Sequence, residues 1–279
     1  MSLQQRLSEF SSGVRPYRPL LGRPTRQRRG IGLNTMLMSV IGVPFGALLG
    51  TAGGFLGTGG GTFAIPLLVL FAAYDQKLAQ GTALVMVVTN VLYALVKYRN
   101  KGSFDLKTAL VLAVSGSVTS AISSLWALSL SSETLKLWYG VFLMLLAAFV
   151  AITRNIKFVS HGLDYRWAFL PGAIGGISLG LFGVGGAMLA VPLLVMFYGH
   201  SQVRAQGLGL ALALPGCSIS LMQYGYYGHV DWTLGLMLAI GGLLGVPAGV
   251  HLAHKVDERT LVLSFCILLI AAGLLVIIK

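Results

Sequence analysis

Seven long stretches of this chain, 78–96, 108–132, 137–153, 167–199, 205–228, 232–253 and 260–278, carry almost no charge. No soluble core needs so many. A bilayer does, because a helix must show about 20 consecutive apolar residues to cross its hydrocarbon interior. The balance of residues agrees: the 279-residue chain is 56% hydrophobic and 10% charged, with a mean hydropathy of +0.81. A soluble domain carries about a quarter charged residues. A spanning β-barrel would need period-two alternation, and these runs do not alternate. The expected fold is an all-α polytopic membrane protein.

A glycine break interrupts the apolar pattern twice. Gly57-Thr-Gly59-Gly60-Gly61 is followed five residues on by Pro66-Leu-Leu-Val, and Gly183-Val-Gly185-Gly186-Ala187 by Pro192-Leu-Leu-Val. Laying residues 46–105 on 172–231 without a gap gives 22 identities in 60 positions. The chain therefore reads as two homologous repeats offset by 126 residues, a pattern that must be recognised before single elements are assigned. The organisation expected is an Arg-rich arm at 1–31, transmembrane repeat 1 at 32–153, a linker at 154–166 and transmembrane repeat 2 at 167–279.

The number of crossings turns on the breaks. The element at 62–73 is roughly 18 Å long as a helix, too short for a bilayer of about 30 Å. If each break interrupts one discontinuous crossing, each half crosses four times, eight in all. The arm, the 97–107 loop and the linker then share the cytoplasmic side, as their Lys and Arg residues favour. If the helices flanking each break form a hairpin, each half crosses five times, ten in all, and the repeats are inverted. Eight crossings are expected.

The formal charge of +12 does not indicate nucleic acid. Seven Arg residues (6, 15, 18, 23, 26, 28 and 29) fall in the first 30 positions, next to the first apolar run. Basic flanks of apolar helices are what membrane insertion selects, so the arm is expected to be cytoplasmic and to touch lipid. It does not read as a signal peptide, since the apolar run begins only near Leu33. Cys217 and Cys266 lie inside apolar runs and are expected to be packing residues. No span has Asp or Glu at its centre, which argues against a carboxylate proton relay or a dedicated cation site. No nucleotide-binding motif is present, and no cofactor or metal is expected. Gly176-Ile-Ser178-Leu-Gly180 matches a serine-nucleophile pattern, but it lies in a ladder of spaced glycines, and the chain is read as not an enzyme.

The breaks are the candidate site. Non-helical backbone at membrane depth survives only where protein or water covers it. Glycines expose amide N–H groups, and the helix after each break points the positive end of its dipole at the gap. Two such ends facing one another would bind an anion without a buried cation. The expected backbone ligands are Gly57, Gly59, Gly60, Gly183, Gly185 and Gly186. Gln80 and Gln206, matched in Ala79-Gln80-Gly81 and Ala205-Gln206-Gly207, are candidate side-chain contacts, as is Asn90 in mid-span. Lys77 and Arg204, one position apart in the repeat frame, could draw an anion in. Gly46, Gly50 and Gly54 recur as Gly172, Gly176 and Gly180, and Ser115, Thr119 and Ser123 match Gly241, Gly245 and Gly249. These are small-residue faces for close helix contact.

The doubled Gly-x-Gly-Gly…Pro-Leu-Leu element, the Ala-x-Gly helix start and the Gly-x-x-Asp segment (Gly102 to Asp105, Gly228 to Asp231) resemble the sulfite exporter TauE/SafE family over about residues 35–278. The resemblance implies an inner-membrane carrier of small sulfur-containing anions such as sulfite or organosulfonates, usually an exporter. The sequence departs from the pattern in repeat 2, where Leu208 follows Gly207 and Ala187 replaces Gly61's counterpart. The expected partners are the lipid bilayer and a small anionic substrate. A homodimer stays open. The competing readings are a passive anion channel, and a non-transporting subunit that docks a partner through its arm.

Overall fold

The structure, a computed structural model, describes residues 31–56, 60–99, 105–153, 164–184, 186–253 and 258–278. The chain divides into two units, Met1–Met38 and Ser39–Lys279. Only the opening turns of the first described helix belong to the smaller unit. The Arg-rich arm lies outside the described residues.

Every regular element among the described residues is helical. They are α1 (Ile31–Leu56), α2 (Gly61–Phe71), α3 (Gln76–Arg99), α4 (Leu106–Ser129), α5 (Ser132–Thr153), a 3-10 turn (Tyr165–Ala168), α6 (Phe169–Phe182), α7 (Gly186–Tyr198), α8 (Gln202–Tyr226), α9 (Trp232–Ala253) and α10 (Glu258–Ile278). Five of them are long and apolar enough to cross a membrane: α3, α4, α5, α8 and α9. Their outer faces carry the apolar side chains expected toward lipid, such as Leu110, Val114, Val118 and Ile122 on α4. The starts of α3 and α8, of α4 and α9, and of α5 and α10 are each 126 residues apart.

Short polar residues set the helix starts. Asp105 caps α4 by accepting from Thr108 N at 3.5 Å, with the Thr108 hydroxyl donating to it as well at 2.6 Å, and Asp231 takes the same place before α9, accepting from Leu234 N at 3.0 Å. Ser201 caps α8 through Arg204 N. Each of these side chains satisfies an N–H that the first helical turn leaves unpaired.

The small-residue ladders decide which helices touch. A Cβ on Gly46 or Gly50 of α1 would stand 2.5 Å from the carbonyl oxygen of Leu238 or Gly242 on α9, and Gly54 lies against Val246. On α6, Gly172, Gly176 and Gly180 take up the Ser115, Thr119 and Ser123 side chains of α4. Those three hydroxyls donate back to carbonyls one turn earlier, Val111, Ser115 and Thr119, at 2.7–2.9 Å. With their polar atoms satisfied inside their own helix, they serve as packing surface. Both ladders climb in step, so α1 runs parallel to α9 and α6 parallel to α4. Each pair joins one half of the sequence to the other. Ser178 is a buried residue of α6 whose hydroxyl donates to Gly175 O at 2.8 Å, with none of the strand-to-helix turn a nucleophile elbow needs.

The helices at the breaks lie side by side. A Cβ on Gly186, the first residue of α7, would be 2.8 Å from Gly175 O in α6. Eleven residues of one straight helix would separate those positions by roughly 16 Å. The same offset recurs in the first half, where a Cβ on Gly60 would be 2.9 Å from Leu49 O. The chain therefore turns back on itself at each break. In space the helices flanking each break pair as a hairpin.

Candidate functional site

The first break closes on Gly60, whose φ of +86° is the left-handed conformation glycine tolerates best. Its carbonyl accepts from Phe63 N and Ala64 N and so starts α2. The second break begins at Gly183, with φ of +72°, where α6 ends as Gly183 N donates to Leu179 O at 2.8 Å. Gly57, Gly59 and Gly185 lie outside the described residues.

The two breaks meet. A Cβ on Gly61 would come within 2.8 Å of Val184 Cγ1. The Thr62 hydroxyl lies 3.7 Å from Met188 Sδ, and these positions are 126 residues apart. The same repeat position from each half thus touches its own counterpart, as it would on a two-fold axis. Around the contact, the Tyr139 hydroxyl donates to Thr62 O at 3.0 Å, and Phe182 stacks on Phe142 with centroids 4.4 Å apart. The interior here is neutral: the described buried polar residues are Thr, Ser, Gln and Asn, with no ionisable carboxylate or cation among them.

Gln80 is fully buried on α3 beside the second break, its own carbonyl 3.7 Å from the place a Gly183 Cβ would take. Its Oε1 accepts from the Tyr224 hydroxyl of α8 at 2.8 Å. That bond orients the amide and leaves Nε2 with no hydrogen-bond partner in the structure. A buried donor without a partner costs about 1–3 kcal/mol, so its presence calls for a reason.

The other expected residues are more scattered. Asn90 is buried against α9, where Gly242 leaves room for its amide: a Cβ there would sit 2.9 Å from Nδ2. Gln206 is half-buried on α8. Lys77 donates from Nζ to Leu128 O at 2.8 Å, near the last turn of α4, while the Arg204 guanidinium is 3.9 Å from Asp105, at the first. Those ends of α4 are roughly 35 Å apart, so the two cations do not serve one bound ion. Among the described residues, no His, Cys, Asp and Glu group could hold a metal.

Several residues beside the site gave no functional signal in the sequence. Tyr224 is read as one more apolar-run aromatic until its bond to Gln80 is seen. Tyr74, in the turn before α3, donates to Asp231 Oδ2 at 2.7 Å. Burial and that bond push its phenol well above the ordinary range. At the other end of the fold, the Thr108 hydroxyl holds Asp105 below the usual carboxylate value, and burial lowers the pKa of His200.

These features define a membrane protein with a neutral polar centre where two broken helices meet. The chain belongs to the sulfite exporter TauE/SafE family, whose model matches residues 32–276. It is 24% identical over 264 residues to the probable membrane transporter protein YunE of Bacillus subtilis (strain 168), covering 84% of this chain and 95% of that one. A probable membrane transporter protein of Xylella fastidiosa (strain 9a5c) is 26% identical over 87% of this chain and 96% of its own length. The probable membrane transporter protein MJ0441 of Methanocaldococcus jannaschii is 27% identical over 82% of this chain and 91% of its own. Family and relatives together support a multi-pass membrane transporter.

Proposed function

We propose that this protein is a secondary transporter, an exporter in the inner membrane, for small sulfur-containing anions such as sulfite or organosulfonates. The anion is held between the two breaks by backbone N–H groups at the starts of α2 and α7 and by Gln80 Nε2. The observation that carries this reading is the buried Gln80 amide beside the meeting point of the breaks, whose Nε2 has no partner in the structure. Aligned peptide dipoles put about half a positive charge at each helix start. An oxyanion suits such donors, and a neutral interior avoids holding it too tightly to release.

The contacts also support an inverted arrangement. Gly235 packs on Val85, and Gly242 on Met86, so α3 runs parallel to α9, and α1 does too. Ser132 meets Asp75, and Leu128 meets Lys77, which brings the end of α4 and the start of α5 to the side where α3 begins. This is the first side of the fold. Arg204 meets Asp105, so α8 begins on the second side. At roughly 17–21 Å, α2, α6 and α7 are each too short to span, whereas α1 is roughly 39 Å long, and the two hairpins start from opposite sides. Helices α3, α4 and α5 then follow the first hairpin and α8, α9 and α10 the second, and the halves are inverted. Rocking of one half against the other would open the centre to each side in turn.

The test is flux into proteoliposomes of sulfite, thiosulfate, sulfoacetate, taurine and chloride, with thermal stability of the purified protein measured against the same panel. Saturable flux of a sulfur oxyanion is expected, with a stability gain of about 2.7 kcal/mol at a hundredfold excess over its Kd. Flux of none of them, with no shift in stability, would overturn the reading.

A further inference from the structure

Gln76 opens α3 with its side chain turned inward. It is 2% exposed, and neither its Oε1 nor its Nε2 has a hydrogen-bond partner in the structure. A buried primary amide with both ends unpaired is a costly arrangement, and packing alone gives it no reason. Four residues on, one turn along the same helix face, is Gln80 with its own unpaired Nε2. The two amides form a file of donors about 6 Å apart along α3, leading from the first side to the Gly183 turn.

The residues on either side of Gln76 are all tied to other elements. Tyr74 bonds Asp231, Asp75 accepts from the Ser132 hydroxyl at 2.9 Å, and Lys77 bonds Leu128 O. Asp231 N in turn donates to Thr82 Oγ1 at 3.0 Å. The neighbours' polar groups are thus engaged by other elements, and the Gln76 amide is left facing inward without a partner in the structure.

We propose that Gln76 is a substrate-contacting step on the access path from the first side, receiving a small oxyanion before it passes to Gln80. The proposal rests on the transporter reading above and adds to it a subsite and a side. The ligand class is a small oxyanion, since Gln76 and Gln80 each offer N–H donors to an acceptor oxygen and neither carries charge. Gln202 holds the matching sequence position in the second half.

Two readouts test it. In a background with Cys217→Ala and Cys266→Ala, Gln76→Cys should react with a water-soluble anionic thiol reagent that is itself a small sulfonate, and sulfite should slow the reaction. In proteoliposomes, Gln76→Leu should raise the KM for sulfite offered from the first side about tenfold, with kcat within twofold and thermal stability unchanged or higher. A Gln76→Cys thiol that stays unlabelled, or a Gln76→Leu variant with the wild-type KM, would overturn the proposal. If wild-type protein moves no anion while Gln76→Cys is labelled, the transporter reading fails and the accessible polar step stands.

Discussion

Gly50→Leu and Gly176→Leu are each expected to leave no folded protein in detergent extracts. At Gly50 the new Cβ alone would sit 2.5 Å from Gly242 O and 2.7 Å from Gly242 Cα; at Gly176 it would run into the Thr119 hydroxyl and the Gly116 backbone. A flexible side chain can swing away from such a clash, but a backbone carbonyl moves only with its helix. Relief would mean parting α1 from α9, or α6 from α4, along a ladder of three contacts. Overpacking a core costs about 1–3 kcal/mol where side chains can yield, and more where they cannot. In a bilayer, close backbone approach is also a main source of helix association. Set against total stabilities of about 5–15 kcal/mol, the expected result is loss of the monodisperse peak on size exclusion. Gly228→Ala is the control. That glycine has φ of +77° with nothing within 4 Å of a Cβ, so only the left-handed backbone penalty of about 1–2 kcal/mol applies. A Gly176→Leu protein that purifies and melts like wild type would show that the α4–α6 ladder is not the tight contact described here.

That contrast marks what sequence could and could not reveal. Spacing of four in Gly46, Gly50 and Gly54 predicts a flat face, and such faces are present. It does not say which helix fills them, and the partners prove to lie in the opposite half of the chain. Nor does a glycine cluster say whether backbone at the break runs on or turns back. The contact of Gly186 with Gly175 answers that in space alone. Lys77 and Arg204 are near neighbours in the repeat frame, yet they sit at opposite ends of α4, because α3 begins beside the end of that helix and α8 beside its start. Gln80 was legible as a polar residue at a helix start repeated in both halves. Gln76 was not, because a glutamine in a Tyr-Asp-Gln-Lys turn reads as solvated loop. Only the packing of α3 turns that amide inward.

Gln80→Leu is expected to lower kcat/KM for the transported anion by about 10- to 100-fold, in line with losing one hydrogen bond to a charged group, worth about 1.5–3 kcal/mol. The same substitution strands the buried Tyr224 hydroxyl, so a drop in Tm alone would not identify the cause. Tyr224→Phe separates the two effects. It removes the donor to Oε1 but keeps Nε2, and transport should fall no more than about fivefold, because the amide loses its anchor while the donor survives. Combining Gln80→Leu with Tyr224→Phe deletes both partners of the buried bond, a change that can be nearly neutral for stability. The double variant should therefore regain most of the lost Tm and stay as poor a transporter as Gln80→Leu. If it recovered transport along with stability, Gln80 would be a brace between α3 and α8, and the anion would have to be held by the backbone of the breaks alone.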